Sequence, residues 1–345
     1  MQPKDCLIAA LEGLTPDYTP YSIYDFFVDD INSDKWKCLL DKGLLITNAA
    51  ITVKHIEHDV ETCEKTVQKS DGTYKIVTKE TPIGSIKQVF RNNWYHEFWL
   101  KSPKDYKIMQ WIIEHTEPLP DYDKFEQKQQ EVGDQGLTCL CQADHPRTPL
   151  MLINVDWAGT EQFGMDIASE VPELFELYEA SKKLFLKEIE ILAKGPGRYV
   201  KWLENLSIDT LGPARYSKFM LNIYNEAVPI LEASGKRVSV HYDGQLNVIA
   251  DLIASSPVHI IESLTEPPEG DMTYDLCQAK WPDKVLWANI NVELYGQSSQ
   301  QLRDDVIAKR TRMGKKASIF EISEGLPDNW EQSIPVVLET LQQLR

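Results

Sequence analysis

From residue 172 onward the apolar and polar positions switch repeatedly between two periods. Leu174, Leu177, Tyr178, Phe185, Ile189 and Leu192 recur at the spacing of one helical face, and Gly195-Pro196-Gly197 stops that helix. A strand is predicted at about 199–206, followed by a helix over 213–233 that bends or restarts around Pro229, a stop at Gly235 and the strand Val238-Ser239-Val240. The same alternation then gives helix 246–254, strand 258–262, helix 272–279, strand 284–290, helix 300–309, strand 317–322 and a closing helix over 335–344. Short apolar strands separated by amphipathic helices are parallel βα units, because a parallel pair needs a crossover of helical length.

The first half is less regular. Residues 21–27, 43–46 and 137–142 supply the remaining strand candidates, and eight strands in all predict a closed barrel. An open doubly wound sheet is disfavoured, since no Gly-rich phosphate loop follows the first strand. Between residues 52 and 90, segments 62–68 and 73–78 flank an Asp71-Gly72 turn, the pattern of a β-hairpin. The expected fold class is α/β: a single (β/α)8 TIM barrel over residues 1–345, with an N-terminal β-hairpin excursion at 52–90.

Composition narrows the function classes. With 42% hydrophobic and 26% charged residues the chain is neither disordered nor fibrous. Its 36 Lys+Arg against 53 Asp+Glu leave a net charge of −17, which repels nucleic acid and anionic membrane unless a basic stripe opposes it. The densest basic run, residues 309–316, is broken by Thr311, Met313 and Gly314 and is expected to be a solvated helix end. Nothing approaches the roughly 18 apolar residues of a membrane span. The short apolar run at residues 6–11 lacks a secretory cleavage pattern, so a cytoplasmic protein without nucleic-acid or membrane partners is expected. Six cysteines without a CxxC pair indicate reduced thiols, with Cys139 and Cys141 on one strand face.

In such a barrel the reactive groups stand at the C-terminal strand ends. These ends carry Ser207-Ile208-Asp209, His241-Tyr242-Asp243-Gly244, Glu262, Asn289-Ile290-Asn291 and Glu321-Ile322-Ser323-Glu324. Alternation puts His241 and Asp243 on one side, and Gly244 permits a sharp turn after them. The pair either holds a metal, with Glu321 or Glu324 reaching across the mouth as third ligand, or is a hydrogen-bonded pair beside the next helix N-terminus. Glu262 is a general base, a ligand or a solvated strand end, and Asp209 a reactive carboxylate or a helix cap. Asp271 is expected to cap the helix that follows, His145 and His259 to be structural or surface residues, and Trp94, Tyr95, Phe98 and Trp99 to be core. The candidate catalytic set is His241, Asp243, Glu262 and Asp209, with Tyr242, Asn289 and Asn291 for cofactor binding and His241, Asp243 and Glu324 for metal.

Residues 209–213, His241-Tyr242-Asp243-Gly244, Glu262 with Pro267-Pro268-Glu269-Gly270-Asp271, and segment 320–329 together resemble the uroporphyrinogen decarboxylase superfamily, as does Thr81-Pro82-Ile83-Gly84. The resemblance covers most of the chain and implies a (β/α)8 barrel with one of two chemistries. The decarboxylase branch works without a cofactor and holds substrate carboxylates with an arginine-rich segment after the first strand. Here that stretch, residues 24–30, has no Arg and three Asp, although Arg147 or Arg215 could compensate from elsewhere. The cobamide-dependent methyltransferase branch moves a methyl group between a corrinoid protein and an acceptor. Its thiol-methylating members hold zinc through a His-x-Cys pair on the fifth strand and a Cys at the eighth. His241, Asp243 and Ser323 or Glu324 stand at those positions, so the site is harder and suits zinc or a more oxygen-preferring divalent ion, or else a metal-free acid/base pair. The leading expectation is a methyltransferase-like enzyme using a corrinoid carried by a partner protein, or a small-molecule methyl donor. The alternatives are a cofactor-free decarboxylase and a barrel that binds a ligand without catalysis.

Overall fold

Eight short strands, nearly all of them buried on both faces, close into a parallel barrel in the computed structural model, which describes residues 1–143, 146–206, 208–314, 316–322 and 325–344. In chain order they are β1 (Tyr21–Tyr24), β2 (Leu44–Ile51), β3 (Gly136–Cys141), β4 (Tyr199–Trp202), β5 (Arg237–His241), β6 (Ile260–Leu264), β7 (Val285–Ile290) and β8 (Ser318–Ile322). β8 returns to pair with β1, Tyr21 opposite Phe320 and Ser22 opposite Glu321, which closes the ring. Strands covered on both sides are near-continuous apolar runs in sequence, which is why β6, β7 and β8 were legible. A Cβ on Gly136 would lie 2.2 Å from the Ile46 carbonyl oxygen, so β3 packs beside β2 only because it opens on glycine.

The barrel interior has two halves. At the N-terminal end of the strands, inward-facing Leu45, Leu137, Tyr199, Ile260, Val285 and Ile319 share one cluster with Leu7, Ala10 and Leu11 of the helix Pro3–Leu11. That helix seals the floor. Toward the C-terminal ends the same alternation places Ser22, Thr47, Lys201, His241, Glu262 and Glu321 inward, so the barrel passes from apolar to polar along its axis.

Several boundaries differ from expectation. β1 stops at Tyr24, and Asp25–Phe27 turn into a 3-10 helix; β4 ends at Trp202 rather than near 206. The helix Asn222–Ala233 runs through Pro229, whereas the irregularity lies at Gly212, with φ of 71°, and in the wide π turn Tyr216–Leu221. The basic run is not simply a solvated helix end. Lys309 is buried, its ammonium 2.9 Å from Glu266 and 2.6 Å from Asn291 Oδ1, and the Arg312 guanidinium also reaches Glu266.

Two compact units are present, the barrel (Met1–Ala50, Tyr122–Cys141, Pro196–Arg345) and a second made of Ile51–Asp121 and Gln142–Gly195. In the second unit Glu61–Lys69 pairs antiparallel with Gly72–Thr81, the expected hairpin, but Gly84–Arg91 and Trp94–Glu97 extend it to a four-stranded meander. Trp94 stands 80% exposed on the last of these strands instead of joining the core, while Trp99 is buried. Helices Pro103–Glu114 and Pro172–Lys194 pack together in the same unit. Among the described residues no helix is long and apolar enough to cross a membrane.

Candidate active site

Three consecutive strands bring a cation, an imidazole and a carboxylate to one point. Register sets His241 of β5 opposite Glu262 of β6, and Lys201 of β4 opposite Ser239, two residues before His241 on the same face. Glu262 is fully buried, and each of its oxygens is occupied. Oε2 lies 2.6 Å from His241 Nδ1, and Oε1 accepts from the Lys201 ammonium at 2.6 Å and from the Tyr24 hydroxyl. The ammonium also lies 4.4 Å from the Tyr24 ring centre and 5.2 Å from that of Trp287, so two aromatic faces help replace its lost hydration. Immediately after Glu262, Ser263 adopts φ of 65° at a register shift between β6 and β7, a bulge of the kind that re-aims side chains beside reactive sites.

Burial and charge oppose each other throughout the cluster. Burial pushes the Glu262 carboxyl up, but Lys201 and His241 more than reverse this and hold it well below the usual carboxylate range. For Lys201 burial acts downward and is outweighed by Glu262 and Glu321, so the ammonium stays charged. His241 follows the same logic: burial lowers its pKa, Glu262 and Asp243 raise it further, and the net shift is upward, favouring the imidazolium. Glu321 of β8 behaves differently. Its Oε1 accepts from Thr47 at 2.9 Å and Ser22 at 3.2 Å, but its buried Oε2 meets no donor, and burial together with the Glu262 charge raises its pKa to about 8. Two neighbouring carboxyls thus divide the roles, Glu262 ionised and Glu321 protonated at neutrality.

Not all sequence candidates meet here. His241 and Glu262 are in direct contact, and Asp243 Oδ2 lies 3.9 Å from His241 Nε2, an ionic approach rather than a hydrogen bond. Asp243 also lines a cleft of about 540 Å3 at the barrel mouth together with Asp209, Glu269, Asn205 and Thr265. Gly244, with φ of 84°, makes the turn that carries Asp243 to that cleft. Tyr242 points the opposite way. It is fully buried, with its hydroxyl 3.0 Å from that of Tyr216 and 2.9 Å from that of Tyr224 on the surrounding helices. Asn289 donates to Ser263 Oγ at 2.9 Å, and Asn291 joins Glu269 at 2.7 Å and the Lys309–Glu266 pair. Asp271 accepts from the backbone N–H groups of Leu246 and Asn247, so it holds that turn instead of capping the helix Tyr274–Lys280. Glu324 and His145 lie outside the described residues.

Of the expected metal ligands His241 and Asp243 are described, while Glu324 lies outside the described residues. Among the described residues no group of three His, Cys, Asp or Glu is arranged to hold an ion. Around Glu262 the Lys201 ammonium and the Tyr24 hydroxyl take the lone pairs a cation would need, and His241 Nδ1 faces the carboxylate. Lys201 and Tyr24 were missed in the sequence. Lys201 carries a signal, a charge between Val200 and Trp202 inside a four-residue strand, whereas nothing local distinguishes Tyr24.

No known family model matches the chain, and no curated protein matches it. Among solved structures it is similar to a methyltransferase from Methanosarcina mazei, at 9% identity and a TM-score of 0.49 over 69% of this chain, spanning 64% of that protein's length. A B12-independent methionine synthase from Shewanella sp. W3-18-1 aligns at 10% identity and a TM-score of 0.41 over 90% of this chain and 85% of the other. The pneumococcal virulence factor StrH aligns at 7% identity and a TM-score of 0.37, over 94% and 83% of the two chains. Likenesses this distant assign neither a family nor an activity to the chain.

Proposed function

We propose that this chain is a metal-independent, methyltransferase-like enzyme in which His241 carries the proton exchanged as a methyl group passes to a small acceptor. The observation that carries the reading is the orientation of one ring: Nδ1 is held by buried Glu262 at 2.6 Å while Nε2 is turned toward Asp243 of the mouth cleft. The sequence resemblance supports methyl as the group transferred, with a corrinoid on a partner protein as donor. With the ring in its neutral form, the acceptor heteroatom would bond to the methyl carbon, the bond from that carbon to the donor would break with its electron pair remaining on the donor, and the acceptor's proton would pass to Nε2, giving the imidazolium that Glu262 and Asp243 favour. In the reverse direction Nε2 returns it. Glu262 fixes the ring and balances its charge, and Lys201 keeps Glu262 ionised.

Three carboxylates, Asp209, Asp243 and Glu269, line the cleft. Their field favours neutral or cationic acceptors and opposes a poly-carboxylate, which weighs against a porphyrinogen decarboxylase. The test is methylcobalamin turnover by the full chain with a thiol, an amine and a phenol as acceptors, followed by absorbance with and without a chelator. His241→Asn is expected to slow turnover by about 10²–10⁴ with the fold retained, and the chelator to change nothing. Turnover unaffected by His241→Asn overturns the reading, and turnover abolished by the chelator and restored by zinc overturns its metal independence.

A further inference from the structure

The second unit holds a cavity of about 190 Å3 whose walls include none of the barrel cluster. Much of its lining is apolar, formed by Met109, Ile112, Leu184 and Phe185 with Trp99 and Trp157, all buried. Ser181, on the helix Pro172–Lys194, is only 4% exposed and lines this cavity, yet its hydroxyl has no hydrogen-bond partner. Buried hydroxyls are normally satisfied, so this one marks the place of a missing polar atom. The titratable side chains of the wall are paired within the unit. His55 Nε2 lies 2.5 Å from Glu188, Arg147 Nε 2.8 Å from Asp156, and Lys79 is paired with Glu57. Each of these titratable side chains of the wall thus has its partner inside the unit.

We propose that this cavity binds a neutral, single-ring aromatic alcohol, its ring against the apolar wall and its hydroxyl on Ser181 Oγ. Size agrees with the chemistry. An apolar cavity of about 150 Å3 takes up benzene, and 190 Å3 has room for one ring with a small substituent. The site is independent of the barrel chemistry, so either proposal can fail without the other.

Calorimetric titration of the full chain with phenol, and with benzene as the apolar control, tests it. Phenol is expected to bind saturably at one site, about fivefold more tightly than benzene, the worth of one neutral hydrogen bond. Ser181→Ala is expected to remove that fivefold preference without loss of thermal stability, and Ile112→Phe, which fills the cavity, to abolish binding of both probes. Absence of saturable phenol binding, or phenol binding that survives both substitutions unchanged in protein that remains folded, overturns the proposal. Equal affinity for phenol and benzene removes the role of Ser181 and overturns it as well.

Discussion

The Lys201 ammonium, in the polar half of the barrel, keeps a fully buried carboxylate ionised. Removing one partner of such a pair leaves the other charge uncompensated. Lys201→Met is therefore expected to cost about 3–5 kcal/mol in chemical denaturation, with much of the loss recovered in the double variant that also carries Glu262→Gln. Glu321 gives a pH signature of opposite origin. Its carboxyl ionises near the ordinary 4.5 when unfolded and near 8 when folded, so between those values the folded state keeps a proton that the unfolded state has lost. Stability attributable to Glu321 is full below that window, falls as pH rises through it by at most about 1.4 kcal/mol per pH unit, and levels off above. Glu321→Gln removes this limb, so urea denaturation at pH 5, 6.5 and 8 should show the variant gaining on the wild type as pH rises; a constant difference contradicts the assignment. At this scale His241, Asp243 and Glu262 were legible because strand alternation and strand ends are local properties. The Lys201 and Tyr24 contacts were not, since they depend on which strands become neighbours and how deep each side chain lies.

Elements position these residues through sealing and register. The helix Pro3–Leu11 closes the apolar floor with Leu7, Ala10 and Leu11. Leu7→Ala is expected to destabilise the fold by about 2–5 kcal/mol in thermal or chemical unfolding; a change within error would mean the floor is not part of the cooperative core. The strands of the C-terminal half could be read from sequence because each is an apolar run bounded by amphipathic helices. Boundaries failed where backbone geometry overrides pattern. Asp25–Phe27 continues the aromatic run of β1 but coils into a 3-10 turn, and a π turn at Tyr216–Leu221 widens a helix whose periodicity gives no warning of it.

For the whole molecule, the net charge of −17 has a local counterpart at the barrel mouth, where Asp209, Asp243 and Glu269 line the cleft. A tricarboxylate such as citrate is expected to inhibit methyl transfer by less than about twofold beyond the effect of equal ionic strength; strong competitive inhibition would contradict an acidic entrance. The barrel as a fold was legible because its βα alternation recurs along the chain. The second unit was legible only as a hairpin, since its later strands carry aromatic side chains, Trp94 among them, whose pattern also suits a core. The account rests on a proton held at the mouth by buried charge, and a nitrogen-15 NMR titration of the His241 ring reads that directly. The ring should titrate with a midpoint above the ordinary 6.5 that falls in Glu262→Gln. A midpoint at or below 6.5 that is indifferent to Glu262→Gln would contradict it.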